Sequence, residues 1–253
     1  MVKPFFTPLQ HTEQFLIRTF EIDRLKQATL PTLVRLMHEA AMQNVIDLKL
    51  SVWDLEEKGI SWVLLRQRLE IERLPRLGER VSVVTHPSGF DKFFTYRDFR
   101  VYDEHENQIA WASSTWVLMD MHTRKVRRLP PFILDYEAQM PEPGLCLPRP
   151  NTRIPPLSHP SGAREYQVQY YDLDFNQHLN NTLYLKWMLE SLPDPLLMQG
   201  KCRSVHLEYR AECRWMAHVR AESEEVGRNT FIHRLCSSDE GKDLAFARTV
   251  WEV

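Results

Sequence analysis

The chain has 253 residues, 43% of them hydrophobic, enough for one large core or two smaller ones. Its 32 Lys and Arg nearly balance 34 Asp and Glu, so overall charge points neither to nucleic acid nor to a membrane surface. The opening MVKPFFTPLQ carries two prolines and no sustained apolar run, so no secretory signal is expected, and no apolar stretch reaches membrane-spanning length; a cytoplasmic protein is expected. Cys146, Cys202, Cys213 and Cys236 lack CxxC spacing, so neither a zinc site nor a disulfide framework is indicated.

In chain order, Phe15 to Phe20 alternates as a strand does, and a helix follows. Its apolar stripe is Leu33, Leu36, Met37, Ala40, Ala41, Val45 and Leu48, with Pro31 in the first turn, where a missing N–H costs little. Strand-like runs cover Trp62 to Ile71, Val81 to Thr85, Phe93 to Tyr102 and Ile109 to Asp120. Nine of the sixteen prolines then fall between Pro130 and Pro160, in a stretch without periodicity that reads as a linker. A second strand is expected from Tyr166 to Tyr170. A second helix carries Leu185, Met188, Leu189 and Leu192, with Asn180 or Asn181 as N-cap and Pro193 as stop, and further strands lie between Val205 and Val250.

The two halves are one pattern written twice. FEIDRLKQATLPTLVRLMHEA from Phe20 lies without gaps over YDLDFNQHLNNTLYLKWMLES from Tyr171; LEIERLPRLGERVSV from Leu69 lies over LEYRAECRWMAHVRA from Leu207, and IAWASSTWV from Ile109 over LAFARTVWE from Leu244. The expected organisation is a unit at 1–129, a Pro-rich linker at 130–162 and a unit at 163–253. A long helix followed by about four antiparallel strands buries its stripe when the sheet curls around it, so an α+β tandem hotdog is expected.

The copies differ in chemistry. Asn176 and His178 stand opposite Leu25 and Gln27, and Glu212 opposite Leu74, whereas Asp174 is matched by Asp23. Asp174, Asn176 and His178, spaced by two, leave one side of an extended segment, yet such a segment sets Asp174 and His178 roughly 13 Å apart, so a bend is expected as the helix begins. Thioester hydrolysis needs donors for an oxyanion, which Asn176 and His178 provide, and a base, nucleophile or orienting acceptor, which Asp174 and Glu212 provide. The alternative uses are plain: caps and turns for residues before a helix, a shared turn for Asp174 and Asp23, and a solvated strand face for Glu212. Cys213 as nucleophile with His178 as base is a second arrangement, against which stands the usual core role of a small Cys.

DLDFNQHLNN at Asp172 to Asn181, the following LYLKWMLES, and YRAEC at Tyr209 to Cys213 resemble signature blocks of plant and bacterial acyl-acyl carrier protein (acyl-ACP) thioesterases. WVLLRQRLEIERLPRLGERVSV and ASSTWVLMDMHTRKVRRLP extend the likeness through the first half. The resemblance implies a tandem hotdog that hydrolyses fatty acyl-ACP to free fatty acid and holo-ACP. It implies a catalytic set of Asp174, Asn176, His178 and Glu212, with Cys213 an older nucleophile candidate, and a first unit that holds the acyl chain. Arg214 stands where plant members often carry glycine.

Burying each methylene contributes about 0.8 kcal/mol, so an apolar tunnel is expected, and a sharp length preference requires a steric floor, sought at Leu36, Met37, Ala40 and Ala41. A basic rim for an acidic carrier protein is sought at Arg124, Lys125, Arg127 and Arg128, with Arg203, Arg210, Arg214 and Arg220 in the second half. No glycine-rich phosphate loop or metal-ligand spacing is visible, so no cofactor or metal is expected. Coenzyme A thioesters are the alternative substrate and a non-catalytic acyl-binding module the alternative class. The sequence leaves open whether two chains form a homodimer.

Overall fold

The computed structural model describes residues 5–151 and 153–253. The start of the first unit and Thr152 of the Pro-rich stretch lie outside the described residues. The chain divides into compact units at Met1–Pro150 and Asn151–Val253.

The first unit contains β1 (His11–Leu16), α1 (Leu30–Asp47), α2 (Val52–Glu56), β2 (Ile60–Ile71), β3 (Arg80–Asp91), β4 (Phe94–Tyr102), β5 (Gln108–Asp120), β6 (Val126–Arg127) and α3 (Pro131–Leu134). Its antiparallel strands run β1-β3-β4-β5-β2, with β6 against β5. The second contains β7 (Gly162–Gln167), α4 (Asn181–Glu190), α5 (Asp194–Gln199), β8 (Lys201–Tyr209), β9 (His218–Gly227), β10 (Thr230–Ser237) and β11 (Asp243–Glu252), in the order β7-β9-β10-β11-β8. Each unit therefore has a principal helix, α1 or α4, packed on an antiparallel sheet of equivalent strand order, the hotdog arrangement twice over.

Local chemistry sets the helix ends. The Thr29 hydroxyl accepts from the Thr32 N–H and Pro31 occupies the first turn of α1, whose inner face buries Leu33, Met37 and Ala40 completely. Asn180 caps α4 by accepting from Thr182, and Leu185 and Met188 are its deepest residues. Helix α2, absent from the periodicity, is held by a capping box in which Ser51 and Asp54 bond reciprocally. Among the described residues no helix is long and apolar enough to cross a membrane.

Three expectations need correction. The strands read at Phe15 to Phe20 and Tyr166 to Tyr170 end earlier, at Leu16 and Gln167, because Thr19–Glu21 and Tyr170–Asp172 form 3-10 turns closed by Glu21 and Asp172. Strand β3 runs on past Thr85 to Asp91 through Pro87; its pairing with β1 ends at Thr85, so the missing proline N–H faces no ladder there. Residues 131–150 are more than a tether. Leu129 and Ile133 join a core with Leu50, Leu55, Ile60 and Leu118, and the Tyr136 hydroxyl donates to the Leu48 carbonyl. Arg149 grips the Ser88 hydroxyl and carbonyl at 2.6 and 2.5 Å and lies over the Tyr96 ring.

The duplication extends to individual hydrogen bonds. Asp23 N–H donates to the Gln27 carbonyl at 2.8 Å, and Asp174 N–H to that of His178 at 2.7 Å; Ala28 N–H meets the Pro75 carbonyl as Leu179 N–H meets that of Cys213, both at 2.8 Å. The Ile109 carbonyl receives the N–H groups of Glu72 and Arg73, and the Leu244 carbonyl those of Arg210 and Ala211. Left-handed residues recur in step: Lys26 with Gln177, and Gly78 with Met216. Positive φ in the second copy thus falls at Met216, two residues beyond Arg214.

Candidate active site

The loop before α4 turns far more tightly than an extended segment. Asp174 opens it: its carboxylate accepts from the N–H groups of Asn176 (2.8 Å) and His178 (3.2 Å), while its carbonyl accepts from Gln177 (3.0 Å). Leu173 and Leu179 then pair as a bridge, which brings Asp174 back beside His178. The bend lies within the motif, earlier than expected. Asp23 makes the same turn in the first unit, bonded to Leu25 (2.8 Å) and Gln27 (3.1 Å), so this carboxylate belongs to the shared scaffold. Burial pushes the Asp174 carboxyl up from its ordinary range, against the N–H groups of His178 and Asn176, which hold it down, and with a further upward push from Glu212.

Glu212 does not lie on a strand face. Strand β8 ends at Tyr209, because Arg210 and Ala211 both donate to the Leu244 carbonyl and break the alternation. The irregular segment that follows is pinned across the start of α4: the Tyr184 hydroxyl donates to the Ala211 carbonyl (3.1 Å), Leu179 N–H to the Cys213 carbonyl, and His178 bridges Arg214. The Tyr209 hydroxyl reaches the Asn181 carbonyl at 3.4 Å. The outcome is that His178 Nε2 lies 3.3 Å from Glu212 Oε2, with the imidazole largely buried and the carboxylate 38% exposed. A ring nitrogen and a solvent-reaching carboxylate in contact can share and move a proton.

Asn176 sits at the exposed tip of the turn. Cys213 is 4% exposed, its thiol lies 3.9 Å from the Arg214 carbonyl, and burial pushes the thiol up, opposite to what a thiolate nucleophile needs. Tyr184 and Tyr209, which position the Glu212 segment, were not singled out from sequence; both occupy core-facing positions, where a hydroxyl must find a partner.

Leu36, Met37, Ala40 and Ala41 are all buried on α1. Arg124, Lys125, Arg127 and Arg128 are exposed around the β5–β6 turn; Arg127 pairs with Asp120 at 3.6 Å, and Arg127 and Arg128 line, with Lys58 and Phe132, a pocket of about 210 Å³. In the second unit Arg203, Arg210 and Arg220 are paired with Glu252, Glu208 and Glu222, and Arg214 is exposed.

Known proteins share this layout. A curated relative, an oleoyl-ACP thioesterase of Arabidopsis thaliana chloroplasts, is 27% identical over 96% of this chain and 76% of its own length. The crystal structure of an acyl-ACP thioesterase from Bacteroides thetaiotaomicron superposes with a TM-score of 0.87 at 26% identity, covering 96% of this chain and 98% of that one. A 12:0-ACP thioesterase from Umbellularia californica has the same fold, with a TM-score of 0.87 at 23% identity over 96% of this chain and 97% of its own. The family model for the acyl-ACP thioesterase N-terminal domain matches residues 8–136 and that for the C-terminal domain residues 158–253, and the chain belongs to the acyl-ACP thioesterase family.

Proposed function

We propose that this protein hydrolyses fatty acyl-ACP thioesters to free fatty acid and holo-ACP, with the chemistry in the second unit and the acyl chain held by the first. The observation that carries this reading is the 3.3 Å contact of His178 with Glu212 on a backbone frame that, in the sister unit, presents Gln27 and Leu74 instead.

In this mechanism Glu212 takes a proton from water, whose oxygen forms the new bond to the thioester carbon. Asn176 and His178 polarise the carbonyl and hold the oxyanion. The C–S bond breaks, and the proton passes through His178 to the departing pantetheine sulfur. Asp174, committed by its carboxylate to two backbone N–H groups, orients His178. Buried Cys213 packs and takes no part in the chemistry. The basic residues Arg124, Lys125, Arg127 and Arg128 offer a surface to the acidic carrier protein, and the reaction belongs in the cytoplasm.

The test is incubation with acyl-ACP and acyl-coenzyme A forms of one chain, measuring free acid. Release from acyl-ACP at the higher kcat/KM, abolished in Glu212→Gln, upholds the reading. Faster release from coenzyme A overturns the carrier assignment, and retention of the thioester without release overturns hydrolysis.

A further inference from the structure

At three aligned positions, Arg97, Gln67 and His38, the first unit is polar where the second carries buried apolar residues. Arg97, Ser114 and Gln67 are cross-strand partners on β4, β5 and β2, so their side chains share one face. That face looks at α1, because the Arg97 guanidinium donates to Asn44 Oδ1 on the helix at 2.8 Å. Gln67 takes the place of an apolar residue in the buried alternation Gln67, Leu69, Ile71 and is 1% exposed. Neither its amide nitrogen nor its amide oxygen has a hydrogen-bond partner among the described residues, and the same holds for His38 Nε2 on α1. His38 lies edge-on to Trp116, two residues along β5 from Ser114, and burial pushes its imidazole down to about 4, so the ring is neutral.

The sister unit is the internal control. Thr249 stands where Ser114 does, and its cross-strand partners are Phe231 and Val205 in place of Arg97 and Gln67; Leu189 replaces His38 on the helix. All three replacements are buried and apolar. Thr249 itself is satisfied by His233 at 2.9 Å. The fold is thus complete without this polarity, and in the first unit the unpaired groups cost stability for no structural return.

We propose that the unpaired side-chain groups of Gln67 on β2 and His38 on α1 form a recognition point for an oxygen carried part-way along the acyl chain, and that the preferred substrates are hydroxylated acyl thioesters. A hydroxyl both donates and accepts, matching the two idle atoms of one amide, with His38 Nε2 as a further partner. A saturated chain leaves all of them unpaired. The inference rests on the first unit holding the acyl chain.

The test compares kcat/KM on ACP thioesters of saturated and hydroxylated chains of equal length. The wild type is expected to favour the hydroxylated chain, and Gln67→Leu to lower that ratio at least about ten-fold, the worth of one hydrogen bond to a buried group. His38→Leu, which installs the sister unit's residue, repeats the comparison if the first variant does not fold. Equal treatment of the two chains by the wild type, or an equal loss on both in the variants, overturns the proposal. If neither thioester is hydrolysed, the hydrolytic reading fails by itself, and calorimetry with the two free acids decides this one. Tighter binding of the hydroxy acid that is lost in Gln67→Leu upholds it, and equal binding overturns it.

Discussion

The Tyr184 hydroxyl on α4 donates to the Ala211 carbonyl at 3.1 Å, so the helix itself fixes the segment that presents Glu212 to His178. Tyr184→Phe removes that tie while keeping the ring. The expected result is a fall in kcat of roughly ten-fold, since small displacements of the proposed base are costly, with only about 1 kcal/mol lost from stability. Steady-state kinetics beside urea unfolding check this, and a loss confined to stability contradicts it.

Glu212→Gln keeps the shape of the side chain and removes its basicity. Activity is expected to fall about 100-fold or more, and His178→Ala to do the same. In the proposed mechanism the two act as one pair, so the double variant should be little worse than either single variant. Multiplicative losses would show that they act separately.

Asp174 separates an orienting role from a nucleophilic one. Asp174→Asn keeps an oxygen for the N–H groups of Asn176 and His178 and should retain most activity, whereas a carboxylate attacking the thioester would leave none. Asp174→Ala and Asp23→Ala open equivalent turns, and each is expected to cost about 1 kcal/mol in urea unfolding.

Acid should weaken the fold through His233. Its Nδ1 donates to the Met188 carbonyl and its Nε2 accepts from the Thr249 hydroxyl, so the ring is neutral, and burial pushes it down to about 4. A folded value below the unfolded 6.5 favours the unfolded chain as protons bind; this stability is complete above pH 6.5 and is lost as pH falls toward 4. Unfolding free energies from urea titrations should decline across that window, by on the order of 3 kcal/mol for His233 with His38 and His86 acting in the same direction, and His233→Gln should remove its share of the slope.

The proline-rich stretch predicts a proteolytic phenotype. Arg149→Ala removes two of the bonds that tie residues 143–150 to Ser88, leaving that of the Cys146 thiol, and should expose them to cleavage at unchanged temperature and pH, detected as a nick by mass spectrometry. Resistance equal to wild type would show that other ties suffice, such as Leu147 N–H to Asp98.

The duplication was legible because the sister segments align without gaps, and Asp23 opposite Asp174 already marked the shared turn. The meeting of His178 with Glu212 was not. It depends on β8 breaking after Tyr209, through two N–H groups sharing the Leu244 carbonyl, and period-two alternation carries no sign of such a break. The length of β3 was hidden by Pro87, whose tolerance depends on where β1 stops. Gln67 was readable in principle, as the one amide in an otherwise apolar buried alternation, but its idle hydrogen-bonding capacity becomes visible only once its neighbours are placed.

The repeated turn has an evolutionary reading. The earlier copy keeps the same backbone turn and bonds, down to the left-handed Lys26 and Gly78, and carries Leu25, Gln27 and Leu74 opposite Asn176, His178 and Glu212, with Leu33 and Ile71 where Tyr184 and Tyr209 tie the later segment. Installing Leu25→Asn, Gln27→His and Leu74→Glu in a background lacking His178 and Glu212 would ask whether an inherited scaffold alone suffices to found a new reaction centre, with the molecule serving as its own ancestor.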